Sequence, residues 1–295
     1  MISALVAVDP TSEKGKSFDR FSAVVRLFQQ KEILSRTSIV SAIHASLYAV
    51  PFSWYREMKG KFAKEALEAI EKACTGHFDF DGARVLQSDV SSNEGLVSRL
   101  ASYGRRGGHD LLVVSSNERT GLPHWILGSF SETAALTAAM PVLVIKPHLT
   151  DVDFPSEARI VVTVDAAVPP SKKALQWIGK LAKSASAHVH LVYVEPHPHP
   201  LVDSLQKRQP KNLAEGIMKG ISHELRKAGV QSTVEILSES KSIAHTIVGL
   251  AEVRKAWLTI TISAERSSLR KLLLGSTARR ILSLTERPFL SLRIG

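Results

Sequence analysis

The sequence predicts an α/β chain. It is read as two tandem open, twisted, parallel five-stranded sheets with helices on both faces, the two related by a pseudo-two-fold. Three observations point there. Apolar runs of strand length alternate with amphipathic helical stretches along the chain. Landmarks of the first half recur in the second at a constant offset of 147 residues. The length of 295 residues accommodates two domains, 1–150 and 151–295, each large enough to bury a core.

The repeat rests on particular residues. Gly128-Ser129-Phe130-Ser131-Glu132 opens a helical pattern that leads into Pro141-Val142-Leu143-Val144-Ile145. Gly275-Ser276-Thr277-Ala278-Arg279 opens another, leading into Pro288-Phe289-Leu290-Ser291-Leu292, 147 residues further on. Upstream of each, Glu118-Arg119-Thr120-Gly121-Leu122 and Glu265-Arg266-Ser267-Ser268-Leu269 keep the same offset. The starts also correspond: Leu5-Val6-Ala7-Val8-Asp9 and Ile160-Val161-Val162-Thr163-Val164-Asp165 lie 156 residues apart, so small insertions separate the copies.

Taken in order, residues 3–8 form a short apolar run ending in an aspartate, the pattern of a buried strand. Phe18, Phe21, Val25, Phe28 and Leu34 give residues 17–35 helical periodicity. Residues 37–43 read as a strand, and residues 56–74 as a helix with Phe62, Ala66, Ala69, Ile70 and Ala73 on one side. A strand at 83–88 precedes a helix at 93–103, N-capped by Ser92 or Asn93. A strand at 110–115, a helix at 129–140 and a strand at 141–146 close the copy. The second copy predicts strands near 159–164, 187–194, 231–237, 256–262 and 288–293, and helices near 171–184, 211–228, 241–252 and 276–286. A proline at a strand start suits an edge, and exposed apolar edges invite pairing. The two copies are therefore expected to pair through 141–146 and 288–293, or through the helices beside them.

Composition narrows the function. No stretch reaches the roughly 20 apolar residues of a membrane-spanning helix. The N-terminal MISALVAVDP has no basic start and no small-residue cleavage site, which argues against a secretory signal. Cys74 is the only cysteine, so neither an intrachain disulfide nor a cysteine-rich metal cage can form, and a reducing cytoplasm is the natural setting. The net charge of +10 is uneven: residues 1–150 carry 17 basic and 15 acidic side chains, residues 151–295 carry 21 and 13. A basic second half is suited to nucleic acid, anionic lipid or phosphate-bearing ligands, or is a solvated face.

In open α/β sheets ligands collect at the carboxyl ends of strands, near the point where the strand order reverses. Asp9 and Asp165 end the first strand of each copy, where a carboxylate accepts hydrogen bonds from a ribose or an adenine amine, or else caps the next helix. The loops from Ser115 to Leu127 and from Ser263 to Leu274 follow strand four. Gly128-Ser129 and Gly275-Ser276 then open helices, where backbone N–H groups bind phosphate, or where the serine is a plain cap.

Together these elements resemble the universal stress protein family as a tandem two-domain member, most closely over SSNERTGLPHWILGS…PVLVIKP and ISAERSSLRKLLLGS…PFLSLRIG. ATP-binding members carry Gly-x2-Gly-x9-Gly-Ser/Thr after strand four. Gly128 and Gly275 match its third glycine, and Ser129 and Ser276 its hydroxyl. The first two glycines fall on Ser115 and Glu118, and on Ile262 and Glu265. A carboxylate beside a polyphosphate is repulsive, although Arg119 and Arg266 follow it directly. The resemblance thus implies weakened or absent ATP binding at Asp9, Ser115, Arg119, Gly128 and Ser129, and at Asp165, Arg266, Gly275 and Ser276. It implies a non-catalytic role in stress response through a small-molecule or protein partner. An ATP switch with slow hydrolysis and capture of an anionic lipid or macromolecule by the basic half are the alternatives, and a homodimer is left open.

Other features weigh less. His188, His190, His197 and His199 with Glu195 are a candidate zinc set only if the two histidine pairs converge; otherwise they belong to a solvated loop. The run Lys207-Arg208-Gln209-Pro210-Lys211 lacks the aromatics that stack bases, which speaks against nucleic acid. Arg105-Arg106-Gly107-Gly108-His109 reads as a helix-to-strand turn, Cys74 as a buried inert thiol, and Trp54-Tyr55 as an aromatic loop with core packing as the default. No GxSxG, Walker A, HExxH or GxGxxG motif is present, and nothing nominates a general base.

Overall fold

The computed structural model describes residues 1–9, 16–44, 50–90, 92–116, 129–146, 157–196, 211–263 and 271–293. The chain divides into two compact units, Met1–Asp153 and Phe154–Gly295.

The first unit contains β1 (Ile2–Ala7), α1 (Lys16–Gln30), β2 (Leu34–Ile43), α2 (Phe52–Cys74), β3 (Ala83–Gln87), α3 (Asn93–Arg106), β4 (Leu111–Ser115), α4 (Ser129–Thr137) and β5 (Val142–Ile145). Its strands lie in the order β3-β2-β1-β4-β5, and every neighbouring pair is parallel. The second unit contains β6 (Arg159–Thr163), α5 (Lys172–Ser184), β7 (His188–Glu195), α6 (Lys211–Lys227), β8 (Ser232–Ser238), α7 (Ile243–Val253), β9 (Leu258–Ser263), α8 (Lys271–Leu284) and β10 (Phe289–Arg293). Its order is β8-β7-β6-β9-β10, again all parallel, so the first unit's topology recurs. With right-handed crossovers, β1-β2-β3 wind one way and β4-β5 the other, which places the intervening helices on opposite faces. The α/β parallel-sheet expectation is met.

The central strands are buried on both sides, as parallel strands covered by helices must be: Leu5 and Val6 in β1, Val161 and Val162 in β6, are all 0 % exposed. Pro141 and Pro288 precede β5 and β10 and need only accept: their carbonyls receive Leu112 N–H at 2.9 Å and Thr259 N–H at 3.1 Å. The proline ring supplies no donor, so the residue before the strand is where it does least harm.

Several boundaries differ from the sequence expectation. Helix α1 stops at Gln30, and Leu34 already starts β2. Glu32 between them turns left-handed at φ 55°, which breaks the helical periodicity before Leu34 continues it. Helix α2 begins at Phe52, so Trp54 and Tyr55 belong to a helix and not to a loop; Pro51 occupies its N-cap. Within α2 Tyr55 is fully buried while Trp54 stays 61 % exposed. Helix α3 is capped by Ser92, whose side chain accepts from Gly95 N–H at 3.3 Å.

Six described residues have a positive φ, and each follows a helix: Glu32, Gly76 and Gly108 in the first unit, Ser186, Gly229 and Lys255 in the second. Five of the six junctions close with the same long bond, in which the residue after the left-handed one donates to a carbonyl five positions back. These are Ile33 to Phe28, His109 to Gly104, Ala187 to Ala182, Val230 to Leu225 and Ala256 to Ala251, at 2.8 to 3.0 Å. This satisfies carbonyls that a helix end otherwise leaves open. Glycine adopts the conformation freely, whereas a side chain is strained there. Lys255→Gly is therefore expected to raise stability by about 0.5–1 kcal/mol and Gly108→Ala to lower it by about 1 kcal/mol, as read by denaturant titration.

Candidate functional site at the strand carboxyl ends

Where the strand order reverses, β1 and β4 end side by side at the carboxyl edge, the place where such sheets collect ligands. Ala7 lies opposite Val114, so the chain that continues to Asp9 runs beside Ser115 and Ser116. In the second unit Thr163 lies opposite Thr261, which sets Asp165 beside Ser263. The topology thus brings Asp9 and Ser115 to one edge in the first unit, and in the second sets Asp165 beside the residue that starts the loop after strand four.

The local geometry of the two aspartates is defined differently. Asp165 is exposed, and its Oδ1 accepts from Ala167 N–H at 2.8 Å, while its carbonyl accepts from Val168 N–H at 3.0 Å. It builds a local turn and does not cap α5. That role belongs to Ser171, whose hydroxyl accepts from Ala174 N–H at 3.2 Å. Asp9 is half-buried and close enough to His44 to act on it through charge. Burial pushes His44 below its ordinary value, and the Asp9 carboxylate pulls the other way.

Tyr55 completes this edge of the first unit. Its hydroxyl donates to the carbonyl of Ile43 at 2.7 Å, the carbonyl that also receives Ser88 N–H at 2.8 Å. Burial pushes the phenol pKa up, so the ring remains a neutral donor. Sequence reading left Tyr55 in a loop; the proline immediately before α2 was the signal that a helix starts there.

Of the remaining site positions, Arg119, Gly128 and Arg266 lie outside the described residues, as do Glu118 and Glu265. Ser129 is the first residue of α4. Gly275 and Ser276 fall in the second turn of α8, which starts at Lys271, five residues before the expected 276. Lysine and leucine are strong helix formers, and Lys271-Leu272-Leu273-Leu274 carries the helix upstream past the glycine.

His188 and His190 do not converge with Glu195. His188 and His190 share one face at the beginning of β7, with ring centroids 4.8 Å apart. Glu195 is the last residue of that strand, about 23 Å from His188 and about 17 Å from His190 at the rise of an extended chain. His197 and His199 lie outside the described residues, as does most of the run 207–211. Among the described residues no group of three or more His, Cys, Asp or Glu side chains is placed to hold a metal, and no helix is long and apolar enough to cross a membrane. Cys74 is fully buried and unbridged.

His190 instead meets a carboxylate that sequence reading missed. Its Nδ1 lies 3.1 Å from Glu235 Oε1. Arg254 grips the same carboxylate with both prongs, Nε to Oε1 at 3.1 Å and Nη2 to Oε2 at 2.9 Å. The guanidinium and the imidazole hold Glu235 below the usual carboxylate range against the opposing effect of burial. These three side chains come from β7, β8 and the end of α7, so only the period of two along β8, which pairs Thr233 with Glu235, hinted at the cluster.

Residues 158–293 match the model of the universal stress protein family. No curated protein matches the chain. Among solved structures, a universal stress protein from Archaeoglobus fulgidus DSM 4304 superposes with a TM-score of 0.65 at 16% identity, with 99% of this chain and 96% of that one covered. A functionally unknown protein from Pseudomonas aeruginosa PAO1 gives a TM-score of 0.59 at 16% identity, covering 99% and 92%. At these identities the likeness is one of fold.

Two outcomes are expected here. Asp9→Asn removes the attraction that supports the charged form of His44, so the His44 pKa moves further down; ring-proton NMR against pH reads the shift directly. Burial also depresses His109 and His190. The unfolded chain therefore binds protons first as pH falls through 6.5, and stability must decline from pH 7.5 toward 5.5. A chemical-denaturation midpoint that stayed flat over that window would contradict these burial effects.

Proposed function

We propose that this chain acts in the stress response by binding rather than by catalysis, with a small ligand or a protein partner held at the strand carboxyl ends and ATP binding weak or lost. The match of residues 158–293 to the universal stress protein family supports the role. For the second unit, the observation that carries the ATP part is the placement of Gly275 and Ser276 inside α8; in the first unit Ser129 opens α4 and the reading rests on Glu118. In a helix starting at Lys271, the N–H groups without an intrahelical partner belong to residues 271–274. Those of Gly275 and Ser276 are spoken for, so a phosphate does not find the open glycine amide that a loop-to-helix junction offers.

The sequence adds to this. Glu118 and Glu265 stand where ATP-binding members of the family have a glycine, and a carboxylate near a triphosphate in a water-poor crevice costs up to several kcal/mol. A lone, buried cysteine suits a reducing cytoplasm.

Calorimetry with ATP tests the reading. The native chain should give no saturable heat up to millimolar ATP. Glu118→Gly or Glu265→Gly should tighten binding at least tenfold if the carboxylate is the obstacle. Nucleotide retained through purification of the native chain, or a micromolar Kd, would favour an ATP-operated switch instead. No gain in either variant would show that something other than the carboxylate closes the crevice.

A further inference from the structure

The second unit has an open cleft of about 740 Å³ at the opposite, amino-terminal edge of its sheet. Its walls are the first residues of the strands and the last turns of the helices that lead into them. Arg159 begins β6, His188 and His190 lie at the start of β7, and Gln231 and Thr233 at the start of β8. Lys183 and Ser186 come from the end of α5, Gly229 follows α6, and Arg254 caps α7. The volume is that of an ordinary small-molecule site.

The charges in the cleft are not balanced. Glu235 is committed to Arg254 and His190. Arg159 spends one nitrogen on the Arg254 carbonyl at 3.3 Å and another on Glu157 at 2.9 Å, a pair whose carboxylate is 79% exposed and therefore weak. Lys183 has no ion-pair partner among the described residues, and its stem lies over Gly229, where an added Cβ would meet Lys183 Cε at 3.2 Å. His190 is 8% exposed, and its Nε2 has no hydrogen-bond partner among the described residues. His188 shares Thr233 Oγ1 with it, at 3.3 Å and 3.0 Å.

Three helix carboxyl ends point toward this edge, and their dipoles oppose an anion. That opposition is blunted. The terminal carbonyls of Ala182, Leu225 and Ala251 are already bonded by the closing turns, and Lys183 and Arg254 sit at two of the ends. At the corresponding edge of the first unit, Arg36 is bound to Asp81 at 2.6 Å, and His109 Nδ1 lies 3.0 Å from Ser3 Oγ.

We propose that this cleft binds a small phosphoryl oxyanion, held by Lys183 and His188 with Arg159 at the rim. The Arg254 fork, which suits a planar carboxylate, is engaged with Glu235; what remains are the Lys183 ammonium and the His188 imidazole, compact donors that reach a tetrahedral oxyanion from different sides. The site is separate from the strand carboxyl ends, so it stands or falls independently of ATP binding there.

Inorganic pyrophosphate titrated into the full chain is the test, followed by calorimetry and by the ring-proton resonances of the histidines. The expected result is one saturable site that moves His188 and His190 signals. Lys183→Ala and His188→Ala, both at accessible positions, should each weaken it about tenfold, while Asp9→Asn leaves it unchanged. Absence of saturation, equal affinity in both cleft variants, or citrate binding as tightly as pyrophosphate would overturn the assignment.

Discussion

A parallel strand can only be entered from the same end as its neighbour, so the chain must travel back along a helix and turn into the sheet at a fixed place. After five of the eight described helices, two in the first unit and three in the second, that place is built the same way. A helix ends, one residue turns left-handed, and the next residue donates back across the turn and is buried. The turn does more than stop a helix. A slip of one residue at the start of a strand would move every side chain to the other face. The closing bond of Ala256 to Ala251 therefore decides that Leu258 and Ile260 share one face of β9 and Thr259 and Thr261 the other. Three of the six turns use glycine, and three tolerate the strain of a side chain in its place.

The same constraint sorts charge. Helices start at the carboxyl edge of each sheet and end at the amino edge, so cations are favoured at the latter. Lys183 closes α5, Arg226 and Lys227 close α6, and Arg254 caps α7. Part of the basic surplus of the second half is thus compensation for helix dipoles rather than a uniform coating. It becomes a local surplus because Glu235, the acid at the centre of this edge, is fully occupied by Arg254 and His190. In the first unit Asp81 does the opposite, tying Arg36 and the hydroxyl of Ser38 into a closed set.

Most of the fold was legible because strand and helix periods survive in short, strongly patterned segments such as Leu111–Ser115 and Lys172–Ser184. What was not legible depended on contacts distant in sequence. The apolar period through Leu34 suggested a longer helix, but a left-handed residue at Glu32 interrupts it. Tyr55 looked like loop chemistry until the burial of its ring and the carbonyl of Ile43 gave it a structural task. Of the candidate sites, the meeting of Asp9 with Ser115 at one edge follows from strand order, which the alternation of elements does encode. The joining of His190 to Glu235 and Arg254 does not follow from any local pattern, since the three are brought together only by the pairing of β7 with β8 and by the end of α7.

The glycine-serine pair shows how a motif can persist while its physics changes. A glycine helps bind phosphate when it stands at the junction of loop and helix, with its N–H unbonded and no side chain in the way. Placed one turn into a helix, it only costs about 1 kcal/mol relative to alanine. In α8 that cost is borne because Lys271, Leu272, Leu273 and Leu274 are each good helix formers and extend the helix in front of Gly275. The unbonded N–H groups then belong to residues with long side chains. What a Gly-Ser pair does is therefore set by the propensity of the four residues before it. Those residues, not the glycine itself, decide whether the helix start offers phosphate an open backbone.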